Sequence, residues 1–189
     1  EYLFHTKEVE EEEDGDAGAH ARKGGDAGSD SGGGARATSN AYRVSYTKFP
    51  FGFAVTRAAT NVVLFNSTQV SGLINGLNFE QQYWELSSEL EEDALVYGLG
   101  QQKTRFRLPH GKDKGLDVYT MWAKDGGGTP DHVAAGGAPL YGSHPFYMQI
   151  SKEDGNTHGV FMRSSNALDV SLSPYSVTYR GSGGIIDMS

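Results

Sequence analysis

From residue 41 onward the chain is a succession of short runs rich in aromatic and β-branched residues, broken by Gly, Pro, Asn and Ser at intervals of roughly 8–12 residues. That rhythm leaves little room for anything but antiparallel sheets. Tyr42–Thr47, Phe51–Arg57 and Asn61–Phe65 open the series, the last two joined through Ala58–Thr60. Further strands are predicted over Phe79–Leu86, Ala94–Tyr97, Val118–Trp122 and Phe146–Ser151. Gly159–Arg163, Ala167–Leu172, Ser176–Arg180 and Ile185–Met188 complete it. No segment carries a sustained helical stripe; the best helix candidate, Ser87–Asp93, has clustered acids and no apolar face. No fixed period recurs, which disfavours a solenoid or propeller. The expected fold class is all-β, an antiparallel β-sandwich.

The first forty residues have another texture. Between Glu8 and Ala35 nine acids face only Arg22 and Lys23, so this segment carries −7 of the chain's net −8. Like charges repel and glycines lose much backbone entropy on ordering, so such a segment contributes little to a core. The expected division is a chain-start segment or strand over 1–7, an acidic Gly-rich insert over 8–40, and the β-sandwich over 41–189. The insert reads as a solvated loop between strands, which lengthens at small entropic cost, or as an acidic interaction tail. The near-neutral remainder offers no positive field for a phosphate backbone, which argues against nucleic acid as a partner. The chain has no cysteine, excluding disulfides, a thiolate nucleophile and cysteine-based metal sites. No apolar run approaches the roughly 20 residues of a membrane span. The start at Glu1 has neither a signal peptide nor an initiator methionine, and reads as trimmed.

Candidate chemistry is sparse. The acids Glu85, Glu89, Glu91, Glu92 and Asp93 include no pair set apart for general acid and base work, and read as a solvated edge. The six histidines show no ligand spacing, so no metal is expected; His144, within Tyr141–Phe146, is expected to be buried and hydrogen-bonded. Gly98-Leu99-Gly100 and Gly181–Gly184 lack the spacing and following helix of phosphate loops and read as β-turns. Ser143 lacks a nucleophile elbow. No catalytic residue and no cofactor are assigned. Asn66-Ser67-Thr68 is an N-glycosylation sequon directly after a strand, pointing to a secretory route. Asp125 stands where the apolar strand Tyr119–Trp122 enters the glycine-rich stretch Gly126–Gly128, well placed to reach a ligand. It also reads as an ordinary turn aspartate bonding its own loop.

Several phrases together resemble the family 31 glycoside hydrolases of the α-glucosidase type. They are Leu64–Thr68, Phe79–Ser88 with the following Tyr97–Gly100, Tyr119–Asp125, Leu140–Tyr147, His158–Val170 and Tyr179–Asp187, in the family's order. Leu140–Tyr147 is the most specific. The resemblance covers about Ala41 to the C-terminus and implies the galactose-mutarotase-like β-sandwich that packs against the family's barrel, lacking its first strands. The catalytic nucleophile and acid/base aspartates belong to that barrel, so the implied role is non-catalytic, with the isolated chain inactive. By the same resemblance Asp125 bonds a substrate hydroxyl, with Thr129 of the same loop as a second binding residue. The implied partners are the barrel and an α-linked glucooligosaccharide, in an extracellular or lysosome- or vacuole-like setting. Gln101-Gln102 departs from the family's usual Glu-His pair, and Lys103–Asp117 is an addition. The competing reading is a stand-alone sandwich that binds carbohydrate or protein, with Trp84, Trp122, Tyr141 and Tyr147 as stacking or core aromatics.

Overall fold

A computed structural model describes residues 41–68, 76–92, 94–109, 115–125 and 137–189. Among them lie twelve strands and no helix. Strands β1 (Tyr42–Lys48), β2 (Phe51–Arg57) and β3 (Val63–Asn66) form a three-stranded antiparallel sheet in that order. The largest sheet takes β4 (Leu77–Glu80), β5 (Tyr83–Glu89), β12 (Ser176–Gly181), β11 (Leu168–Leu172) and β8 (Asp117–Met121), in that spatial order. The third runs β10 (Thr157–Phe161), β9 (Pro139–Ile150), β6 (Leu95–Gln102) and β7 (Arg107–Leu108). All the pairings are antiparallel.

Alternation sets the layers, because successive side chains point to opposite faces of a sheet. From the five-stranded sheet Trp84, Leu86, Tyr119, Met121, Val170, Val177 and Tyr179 point inward. They meet Val96, Leu99, Tyr147 and Val160 of the four-stranded sheet, with Phe65 of β3 joining the same cluster. Phe53 stacks on Phe65 at 5.5 Å and closes one end. The architecture is the expected antiparallel β-sandwich, and Asn40–Ser189 forms one compact unit. Residues 1–40, with the chain-start segment and acidic insert, lie outside the described residues.

Several local expectations are corrected. Phe79–Leu86 is not one strand: Glu80 pairs with Tyr83, and Gln81-Gln82 turns the chain with Gln82 at φ 58°. Ser87–Glu89, left outside the predicted strand, completes β5. Tyr97-Gly98-Leu99-Gly100 lies inside β6 rather than in a turn, and the register against β9 shifts there. Gly98 has φ +120°, and a Cβ on it would lie 2.3 Å from the Phe146 carbonyl oxygen, so the strand closes there only around a glycine. Ile185–Met188 is reduced to one bridge, Met162 to Met188. β7 arises within the stretch read as an addition. β9 begins well before the predicted Phe146, because Pro145 lacks only a donor while its carbonyl still accepts from the Met162 amide at 3.0 Å.

Candidate functional site

Three segments converge at one end of the sandwich: the end of β6, the residues after β8, and the start of β9. The Lys124 amide donates to the Leu140 carbonyl at 2.7 Å, so the stretch after β8 runs beside β9 before reaching Asp125. Gln101 and Gln102 hold the junction. The Gln102 amide nitrogen donates to the Thr120 carbonyl at 2.6 Å, and Gln101 Oε1 accepts from the Gly142 amide at 2.9 Å. Gly142 has no space for a side chain, since a Cβ would meet His144 Cε1 at 2.9 Å. Lys103 and Ala138 exchange backbone hydrogen bonds at 2.8 and 3.2 Å. Beneath the junction Tyr119 is buried, and desolvation, with Asp117 adding to it against the Thr104 hydrogen bond, pushes its phenol up to about 12.

On this frame Asp125 is exposed, with Trp122 at 45% and Tyr141 at 59% exposure on the neighbouring strand ends. Thr129, the second binding residue expected from the sequence, lies outside the described residues. An exposed carboxylate accepts hydrogen bonds from hydroxyl groups, and exposed aromatic faces pack on apolar ring faces. Trp84 and Tyr147 are core residues, so the four aromatics do not form one platform.

His144 is exposed, which corrects the buried role expected of it. It follows a strand segment paired mainly on one side, so nothing draws it inward. His158 is the half-buried histidine instead: its ring meets Tyr147 edge-on at 6.4 Å and is hydrogen-bonded to the Leu64 backbone. Of the acidic run, Glu85 accepts from Arg180 Nε at 2.7 Å and Tyr83 Oη at 2.8 Å, and Glu91 accepts from the Lys152 amide at 3.2 Å. These carboxylates are held by neighbours and do not form a facing pair. Among the described residues no group of His, Cys, Asp or Glu is arranged to hold a metal ion.

Asn66 ends β3 and lines an open cleft of about 440 Å³ together with Arg57, Glu89, Asp154 and His158. Its Oδ1 accepts from the Thr68 amide at 2.9 Å and the Thr68 hydroxyl at 2.6 Å, and its own amide donates to Ser88 Oγ at 2.9 Å. The sequon's asparagine is thus the last residue of β3, held by its own Thr68. Sequence reasoning missed the two glutamines as structural residues. The only available signal was their place directly after Tyr97–Gly100.

An antiparallel sandwich whose one rim gathers an exposed carboxylate and two exposed aromatics defines a β-sandwich module with a loop-borne candidate binding edge. Residues 21–170 match the family model of the glycosyl hydrolase 31 N-terminal galactose mutarotase-like domain, and the chain belongs to that family. It is 35% identical over 142 residues to an α-glucosidase of Mucor javanicus, covering 75% of this chain and 14% of that protein. Against the lysosomal α-glucosidase of Mus musculus it is 36% identical over 154 residues, covering 81% of this chain and 14% of that one. The chain therefore spans about one-seventh of the length of these curated relatives. A solved Flavobacterium johnsoniae GH31 dextranase complexed with glucose shares the fold, with TM-score 0.58 and 18% identity over 79% of this chain and 16% of that chain.

Proposed function

We propose that this domain is the non-catalytic N-terminal part of an α-glucosidase-type hydrolase acting on terminal α-linked glucose. It walls one side of the sugar cleft, supports the barrel, and presents Asp125, with Thr129 on the same loop, to a substrate hydroxyl. The observation that carries this reading is the exposure of Asp125 on a rim fixed by Gln101, Gln102 and Leu140. A binding group on a loop anchored by a rigid scaffold keeps its geometry at small entropic cost on binding. The chain needs no cofactor for this role.

The test is a kinetic comparison in the longer polypeptide with a maltooligosaccharide substrate. Losing a hydrogen bond to a charged acceptor costs roughly 1.5–3 kcal/mol, so Asp125→Ala is expected to lower kcat/KM by about 10- to 150-fold. The melting temperature stays unchanged, because Asp125 is exposed. Unaltered kinetics in a folded variant would reject the assignment. The 189-residue chain alone is expected not to turn over a chromogenic α-glucoside.

The exposure of Trp122 and Tyr141 favours a second reading, a stand-alone carbohydrate-binding or protein-interaction sandwich. Under it, the isolated chain gives calorimetric heat with millimolar maltooligosaccharide that Trp122→Ala abolishes; no heat at that concentration removes this alternative. The ordered sequon and the named lysosomal relative support a secretory location with a glycan on Asn66. A mass shift of the natural protein, removed by peptide N-glycosidase and by Thr68→Ala, is the expected sign.

A further inference from the structure

The two central strands of the four-stranded sheet lose their one-to-one register where β6 ends. Gly100 pairs with His144 and Gln102 with Pro139, so Gln101 alone stands opposite the β9 residues Leu140, Tyr141, Gly142 and Ser143. A bulge of that size leaves backbone groups without a ladder partner and turns the strand aside. Here it brings β9 to the end of β8: the Leu140 carbonyl accepts from the Lys124 amide at 2.7 Å, one residue before Asp125.

Two side chains stand in for the missing ladder. Gln101 Oε1 accepts from the Gly142 amide at 2.9 Å, inside the bulge. That approach needs a glycine, since a Cβ on Gly142 would lie 3.1 Å from Gln101 Cδ and 2.9 Å from His144 Cε1. Gln102 reaches across to the other large sheet. β8 is the edge strand of that sheet, and its Thr120 carbonyl accepts from Gln102 Nε2 at 2.6 Å. Gln102 Oε1 is buried with no partner among the described residues, and a reversed amide would set that oxygen against the Thr120 carbonyl. Thr120 is also held from its own sheet, its hydroxyl donating to Asp169 at 2.7 Å. The two glutamines thus use opposite ends of the same amide group, an acceptor for the bulge and a donor for the edge strand.

We propose that Gln101 and Gln102 are positioning residues for Asp125, a clamp that holds the β9 bulge and the end of β8 in the arrangement that sets Asp125 on the rim. This rests on the substrate-binding reading above and extends it from the residue that meets the sugar to the pair that holds that residue in place. Gln101 acts through the bulge and the Leu140–Lys124 bond, and Gln102 acts through Thr120. With either bond lost, the rim relaxes and binding must order it again, which weakens affinity without removing any group that meets the sugar.

Two measurements on the longer polypeptide test this, with melting curves confirming the fold of each variant. The first is hydrogen exchange at single amides. Gln101→Met and Gln102→Met keep the side-chain length and remove its polar end. Each is expected to speed exchange of the Lys124 amide about tenfold, while that of Val170 in the core keeps its rate. The second is a double-mutant cycle in kcat/KM with a maltooligosaccharide. Each methionine variant alone is expected to lower kcat/KM about 3- to 10-fold, mainly through KM. In an Asp125→Ala background the same substitution is expected to change it less than about twofold, because the group being positioned is gone. Gln101→Glu keeps the acceptor oxygen and is expected to recover most of the loss. Losses that add fully to that of Asp125→Ala would overturn the proposal, and so would an unaltered Lys124 rate in the folded methionine variants. The exchange readout uses no sugar. Faster Lys124 exchange with unaltered Asp125→Ala kinetics therefore sinks the substrate-binding reading and leaves the clamp, whereas unaltered exchange with impaired Asp125→Ala kinetics sinks the clamp alone.

Discussion

The indole of Trp84 occupies the space where a side chain on Gly181 would go: a Cβ there would lie 2.4 Å from ring atoms Cε2 and Cζ2. Trp84 Nε1 donates to the Gly183 carbonyl at 2.9 Å, so the ring has no freedom to move aside. Gly181→Ala is therefore expected to cost about 1–3 kcal/mol of unfolding free energy, as overpacking does, and a change near zero in urea titration would contradict this packing. Tyr147 poses the opposite problem. Its hydroxyl is buried without a hydrogen-bond partner among the described residues, and burial raises its pKa far above the usual phenol range. Tyr147→Phe removes an unsatisfied polar atom and is expected to leave stability equal or about 1 kcal/mol higher; a loss of 2 kcal/mol or more would show a missing partner. At His158, burial first and the Arg57 charge second lower the pKa from 6.5, against the Leu64 backbone bond and Glu91. The folded state then binds this proton less readily than the unfolded chain, so the stabilising effect is full above 6.5 and erodes as pH falls below it. The urea midpoint is expected to drop on acidification from pH about 7.5 to about 5.5, and less steeply in His158→Gln. Equal slopes would remove His158 from the account.

At the scale of elements, strands were legible wherever side-chain chemistry alternates, as in β1, β2, β11 and β12, because pattern and register answer to the same period of two. Turns were legible only when built from turn residues. Gln81-Gln82 carries no such signal, and the turn shows only in the pairing of Glu80 with Tyr83 around it. Glycines misled in the other direction: Gly98 serves close strand approach in β6, not a turn. The acids from Glu89 onward hid the end of β5, and Glu85 within it is spent on Arg180, a partner 95 residues away that local reading cannot see. Their bond is partly exposed, so a double-mutant cycle of Glu85→Gln with Arg180→Met is expected to give a coupling of about 1 kcal/mol in stability. A coupling near zero would reduce the pair to geometry alone. For the candidate site, Asp125 was legible as a strand-end carboxylate, whereas the Gln101 and Gln102 anchors required knowing which strands lie side by side.

For the whole molecule, the sandwich has a rim that holds exposed Asp125 beside Trp122 and Tyr141. β1 adds an edge strand with all seven residues exposed. In the reading proposed above, the scaffold contributes position rather than reacting groups. The central claim is that Asp125 meets the sugar when the cleft is complete. A crystal structure of the longer polypeptide with a bound maltooligosaccharide tests it most directly. The account predicts an Asp125 carboxylate oxygen within about 3 Å of a sugar hydroxyl. A well-ordered sugar with Asp125 remote from it, on a rim facing bulk solvent, would contradict the account.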